Sequence, residues 1–218
     1  MHRKQYIMGI SERKEREKQE LKELILLKAK EIMARDGQDG LSIRKIANEI
    51  EYSPATIYLY FQDKDEILYQ MMNKGFSLMS ASMDESFAIE DPLKRLYEIG
   101  RCYVEFGVQN WDWYDLMFNS PSPMNHIERC SVEWGPGITL FEYLVKTCED
   151  AIVHTGRKEL ESRALALQLW STVHGLVNLS STQRLCVVIP EAHESNIQNQ
   201  LVDQTLKNIF LSIFNTKF

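Results

Sequence analysis

Residues 41–64 read LSIRKIANEIEYSPATIYLYFQDK, and the order of small polar, apolar and proline residues in this stretch decides the fold. Ser42 has the side chain of a helix N-cap, because its hydroxyl can accept an otherwise unpaired N–H of the first turn. Leu41 before it and Ile46 at the fourth helical position form the apolar pair of a hydrophobic staple. The device repeats eleven residues on, with Ser53 as cap, Tyr52 and Ile57 as the pair, and Pro54 at the first helical position, where no N–H is needed. Asp63 followed by Glu66 has the spacing of a capping box and starts another helix. Two capped helices of about eight residues, joined by a tight turn around Glu51, have the form of a helix-turn-helix over residues 42–62. Ile46, Ala47, Ile50, Ile57 and Phe61 are its expected core.

Outward from this stretch the period stays helical. Upstream, Leu21, Leu24, Ile25, Ala29, Ile32 and Met33 recur at three- and four-residue spacing, and Gly37 and Gly40 end the run. Ser11 is placed to cap that helix, with Glu12 and Glu15 suiting its positive end. Downstream, Asp91-Pro92 starts a helix through Leu93, Leu96, Ile99, Val104 and Phe106. The two prolines in 119–126 predict a loop, and Gly135-Pro136-Gly137 predicts a second break. Helices are expected again over about 138–153, 159–181 and 194–214. Cys186 to Ile189 is the one strand-like run, closed by Pro190. The expected fold class is all-α: a three-helix domain over 18–78 that holds the helix-turn-helix, and a larger helical bundle over 79–218.

The charge is uneven. The chain of 218 residues carries −6 overall. Residues 1–75 hold 14 Lys and Arg against 13 Asp and Glu, whereas residues 76–218 hold 11 against 18. A near-neutral, locally basic N-terminal third is compatible with a polyanion partner on one face. Cys102, Cys130, Cys148 and Cys186 lie far apart, in no metal-ligand spacing, and are expected to be reduced thiols. No apolar run approaches membrane-span length, and the N-terminus opens Met1-His2-Arg3-Lys4 without a secretory apolar stretch. A cytoplasmic location with no membrane partner is the resulting expectation. No metal or cofactor is expected either.

Ser42, Ile46, Ala47, Ser53, Thr56, Tyr58, Tyr60, Phe61 and Lys64 stand in one register. That register resembles the N-terminal pattern of the TetR family of repressors, S-x-x-x-I-A-x-x-x-G-x-S-x-x-T-x-Y-x-Y-F-x-x-K. One position departs: Glu51 stands where the family has glycine. The resemblance implies that the second short helix lies in the major groove of an operator, since that groove admits a helix. Ser42, Ser53, Thr56, Tyr58 and Tyr60 would then position the protein on phosphates, as would Lys64 at the start of the next helix. Arg44 is the candidate for direct base reading, and Pro54 and Ala55 for thymine methyls. Arg3, Lys4, Arg13, Lys14, Arg16 and Lys18 read either as an arm along the DNA or as a solvated helix start, with Glu12, Glu15 and Glu17 interleaved. Tyr58 and Tyr60 read either as DNA contacts or as packing residues.

The C-terminal part is rich in large aromatics: Trp111, Tyr114, Phe118, Trp134, Phe141 and Trp170, with His174 four residues beyond the last. They read either as plain core or as the lining of a pocket for an apolar or aromatic effector. Trp170-x-x-x-His174-Gly175 resembles the signature of a TetR subfamily, and Gly175 would let another helix approach closely. By the same resemblance the last two helices are expected to pair with their copies in a homodimer. The last helix is apolar on two sides, through Ile197, Leu201 and Leu211 on one and Val202, Leu206, Ile209 and Ile213 on another. That asks for more burial than one small domain provides. The function implied is a transcription repressor released from a palindromic operator by a small molecule. A DNA-organising protein of the same fold without an effector is the alternative. Enzyme chemistry finds no phosphate loop, nucleophile elbow or HExxH motif in the chain.

Overall fold

A computed structural model describes residues 10–130 and 135–215 of the chain. Trp134, Arg3 and Lys4 therefore lie outside the described residues. Those described form twelve α-helices and one 3₁₀ turn, with no strand among them.

The first four helices are α1 (Ile10–Asp36), α2 (Ile43–Glu49), α3 (Pro54–Tyr58) and α4 (Lys64–Ser82). Then come α5 (Asp84–Phe87), α6 (Pro92–Gln109), α7 (Trp111–Phe118) and α8 (Ser122–Cys130). The last are α9 (Gly135–Thr155), α10 (Ser162–Ser181), α11 (Arg184–Val188), the 3₁₀ turn Pro190–His193, and α12 (Ser195–Phe214).

The chain divides into two compact units, and the division is not contiguous in sequence. Of the described residues, one unit takes 10–72 together with 121–130, and the other takes 73–120 together with 135–215. In the first, Ile25, Ala29 and Ile32 of α1 are fully buried, as are Ile46, Ala47 and Ile57 of the helix-turn-helix. The 3.6-residue period of α1 places its apolar stripe on one face, and the short helices pack on it. Helix α8 belongs to this unit. The side-chain amide of Gln38 donates to Ser122 Oγ (2.9 Å), Arg129 pairs with Asp63 (2.6 Å), and the His126 ring stacks on Tyr69.

In the second unit α6, α9 and α10 pack on one another, and α12 packs on α6. Leu93, Leu96, Val145, Cys148, Leu169 and Phe210 are among the residues of its buried core. Helix α6 starts where Asp91 accepts the N–H groups of Leu93 and Lys94. Gly107 of α6 lies so close to α10 that an added Cβ would stand 2.6 Å from Val177 Cγ1 and 2.9 Å from Tyr114 Cδ2.

Four sequence expectations need correction. The stretch 119–126 is a loop only up to Pro121, because Ser122–Cys130 is helical with Pro123 in its first turn. Gly135-Pro136-Gly137 likewise opens α9 instead of breaking it. In both cases the proline occupies the one part of a helix where its missing N–H costs nothing. Cys186–Val188, read as strand-like, forms part of α11, so tertiary context overrides β-branched propensity there. Ser11 lies inside α1, not before it.

Candidate functional site

The helix-turn-helix is built by local hydrogen bonds. Ser42, in extended conformation at φ −149°, accepts the Lys45 N–H on its hydroxyl (3.2 Å). Helix α2 then ends in a full Schellman arrangement. The Tyr52 N–H donates to the Ala47 carbonyl (2.9 Å) and the Glu51 N–H to that of Asn48 (3.4 Å). This closure requires a left-handed residue, and Glu51 supplies it at φ 59°. Ser53 follows at once and accepts the Thr56 N–H (3.1 Å), with Pro54 opening α3. Leu41 and Ile46 are both buried, as a staple requires. Tyr52 is not: it is exposed while Ile57 is buried, so the second staple lacks its outer half. Asp63 accepts the Glu66 N–H (2.9 Å). Glu66 in return accepts the N–H of Gln62 (2.6 Å), one residue earlier than a standard capping box.

The outer surface of α2 and α3 gathers most of the anticipated residues. Ser42, Arg44, Ser53, Ala55 and Tyr58 are exposed; Pro54, Thr56 and Tyr60 are half-buried. The Ser53 and Thr56 hydroxyls also bond each other (2.9 Å). Lys64 is engaged within the unit, its ammonium donating to the Gln38 carbonyl (2.7 Å). Two further donor directions on that ammonium remain. Leu59, 78% exposed just past α3, was not singled out by sequence. Its signal is its position outside the buried set Ile46, Ile50, Ile57 and Phe61. Lys45 pairs with Asp36 (2.7 Å) and Arg35 with Glu49 (2.6 Å), tying the end of α1 to α2. Hydrogen bonds from Arg35 and Lys45 lower the Asp36 carboxyl to about 2.

A second site lies within the second unit. A cavity of about 430 Å³ is walled by apolar side chains, among them Phe76, Leu96, Phe118, Phe141 and Trp170. Of the expected pocket residues, Phe118, Phe141 and Trp170 line it, and Trp111, Tyr114 and His174 do not. The last two belong to a buried polar chain that meets the cavity at Tyr103. Trp170 Nε1–H donates to the Tyr103 hydroxyl (3.0 Å). That hydroxyl bonds the Tyr114 hydroxyl (3.0 Å), which bonds His174 Nδ1 (2.5 Å). Trp111 stacks on Tyr114. Burial pushes the Tyr103 phenol up to about 12 and the Tyr114 phenol higher still, so both stay protonated. Desolvation lowers the His174 pKa, which favours the neutral ring. Tyr103 was missed because one tyrosine on an amphipathic helix reads as core. Its spacing from Leu96 and Ile99 shows the face, but not the partners.

Among the described residues Gly175 meets nothing within 4 Å of where a Cβ would stand, so the close approach expected of it is not made among them. Among the described residues no group of three or more His, Cys, Asp or Glu is placed to hold a metal ion. No helix among them is long and apolar enough to cross a membrane.

The chain is similar to known proteins over both units. Residues 25–71 match the family model for bacterial regulatory proteins of the tetR family. Residues 96–203 match that for the tetracyclin repressor-like C-terminal domain. An uncharacterized HTH-type transcriptional regulator of Haemophilus influenzae is 34% identical over 114 residues. That match takes in 51% of this chain, and the chain spans about half of that relative's length (55%). A protein of unknown function from Rhodococcus sp. RHA1 superposes with a TM-score of 0.67 at 20% identity, over 94% of this chain and 97% of that one. The fatty acid degradation regulator FadR from Bacillus halodurans superposes at 0.62 and 15% identity, over 85% and 93%. Likeness at these identities concerns the fold, and the fold agrees with the two family models. With its capped helix-turn-helix, its helical second unit and both models matched in order, the chain belongs to the tetR family of bacterial regulatory proteins.

Proposed function

We propose that the protein is a homodimeric transcription repressor that binds a palindromic operator and leaves it when a small molecule occupies the cavity of the second unit. The observation that carries the reading is the surface of α2 and α3. A five-residue helix buries only Ile57 and leaves Ala55 and Tyr58 exposed, as Ser42 and Arg44 are exposed on α2 and its cap. A helix this short, capped and pinned at both ends, is a presentation device for its outer face. In the major groove Arg44 would bind guanine in bidentate fashion, and the hydroxyls of Ser42, Thr56, Tyr58 and Tyr60 would meet phosphates.

Dimerisation is supported by what α10 and α12 leave uncovered. Leu167, Leu179 and Leu211 are 52%, 43% and 40% exposed, and Gly175 is open on the same helix as the first two. A second copy laid against these helices would cover them, and would set two recognition helices roughly 34–36 Å apart, one turn of DNA. The cavity then acts as a switch if its ligand prefers a conformer with another spacing.

The test is a titration of the protein with DNA from upstream of its own gene, followed by anisotropy at several salt concentrations. A sequence-specific complex that weakens steeply with salt is expected. Arg44→Ala is expected to relax base preference at one position of each half-site. Lys64→Ala is expected to weaken all sequences alike. Binding that is absent, or indifferent to both sequence and salt, would sink the reading.

A further inference from the structure

The wall of the cavity has a property that bears on what enters it. Among the described residues that line it there is no Lys, Arg or His. Apart from that of Tyr103, the side-chain polar hydrogens of these residues are already engaged. Tyr143 donates its hydroxyl to the Phe87 carbonyl, Thr172 donates to that of Gln168, and Trp170 Nε1–H goes to Tyr103. The one charged group among the described lining residues, Glu142, is exposed and holds Arg163 (2.9 Å) in a neutralising pair. Among the described residues a carboxylate or phosphate inside would find no cation, and an ammonium would find only an occupied carboxylate. Burying an unpaired charge is far more costly than burying an uncharged polar group with one partner.

One hydrogen-bonding position is left over. The Tyr103 hydroxyl lies between Trp170 and Tyr114, and a phenol oxygen can take part in three bonds, one as donor and two as acceptor. Trp170 uses one acceptor position, the link to Tyr114 uses a second position, and a longer contact runs to His174 Nδ1 (3.4 Å). If Tyr103 donates along the chain, its one hydrogen serves both Tyr114 and the longer contact to His174, and a lone pair remains. If the chain runs the other way, its O–H remains. Either way one uncharged polar group of a ligand can be met.

We infer that the cavity takes an uncharged, largely apolar molecule carrying one hydroxyl or carbonyl group, held at that group by Tyr103. The inference deepens the effector reading above and rests on it for its regulatory meaning, though not for the binding itself.

The experiment compares three compounds with one skeleton, decan-1-ol, decanoate and decylamine, by calorimetry on the full-length protein at pH 8. There decanoate is fully ionised and decylamine is charged. Decanol is expected to bind at least tenfold more tightly than either charged compound. Tyr103→Phe is expected to weaken decanol about fivefold, the worth of one net hydrogen bond. Equal or tighter binding of decanoate or decylamine overturns the inference, as does no binding of decanol to the wild-type protein. An unchanged decanol affinity in a folded Tyr103→Phe variant overturns the anchoring role. Adding decanol to the operator complex separates the two readings. Binding without DNA release supports the ligand class and removes the effector role.

Discussion

Glu51 occupies φ 59°, a conformation that costs an L-residue about 1 kcal/mol and glycine almost nothing. The Schellman closure of α2 needs that conformation whatever the side chain. Glu51→Gly is therefore expected to stabilise the protein by about 0.5–1 kcal/mol, part of the relief being returned as unfolded-chain entropy. The measurement is a rise in melting temperature of roughly 1–4 °C. A fall would mean that the glutamate makes a compensating contact. His174 gives a prediction in pH. Its folded pKa is lowered by burial, so the stability it contributes is full above the unfolded value, about 6.5, and is lost as pH falls through the folded value. The groups facing its ring are Tyr114, Phe118, Trp170 and Tyr103, all uncharged in this range. The melting temperature is expected to drop below pH 6.5, and His174→Gln is expected to flatten that slope. An identical slope in the variant would place the effect elsewhere.

Among the elements, α6 and α10 approach closely at Gly107, where a Cβ would press on both methyls of Val177 and the ring of Tyr114. Neither neighbour is the free end of a flexible chain, so Gly107→Ala is expected to cost about 1–3 kcal/mol through overpacking. Denaturant titration reads it as a lower midpoint with an unchanged slope. At Gly75 the obstructing atom is Met117 Sδ, near the end of a flexible side chain, and the same substitution there should cost less. How much of this could be read beforehand follows from the range of the interactions. Ser42, Ser53, Asp63 and Asp91 act on N–H groups within three residues, and their caps appear where the sequence places them. The prolines at 123 and 136 were ambiguous, because a proline both stops a helix and starts one, and only the following residues decide. The Tyr103–Tyr114–His174 chain joins residues 11 and 60 apart in sequence, and no local pattern encodes that meeting. Trp170 and His174 announced themselves by spacing, but their partner on α6 did not.

At the scale of the whole molecule, α10 and α12 leave apolar residues uncovered that a second copy would bury. Leu179→Glu combined with Leu211→Glu is expected to leave the second unit folded and to shift sedimentation from dimer to monomer at micromolar concentration. A dimer that persists would place the interface elsewhere. Helix α8 carries a different consequence. The sequence suggests cutting the chain near residue 78 to obtain a DNA-reading module, yet the first unit includes residues 121–130 as well. A fragment ending there would lack the ring that stacks on Tyr69 and the guanidinium that pairs with Asp63. Chimeras that graft this reading head onto another regulator thus have two seams to respect. The segment 121–130 must travel with residues 10–72, and the donor's copy of it, not the recipient's, is the one that matches the grafted surface.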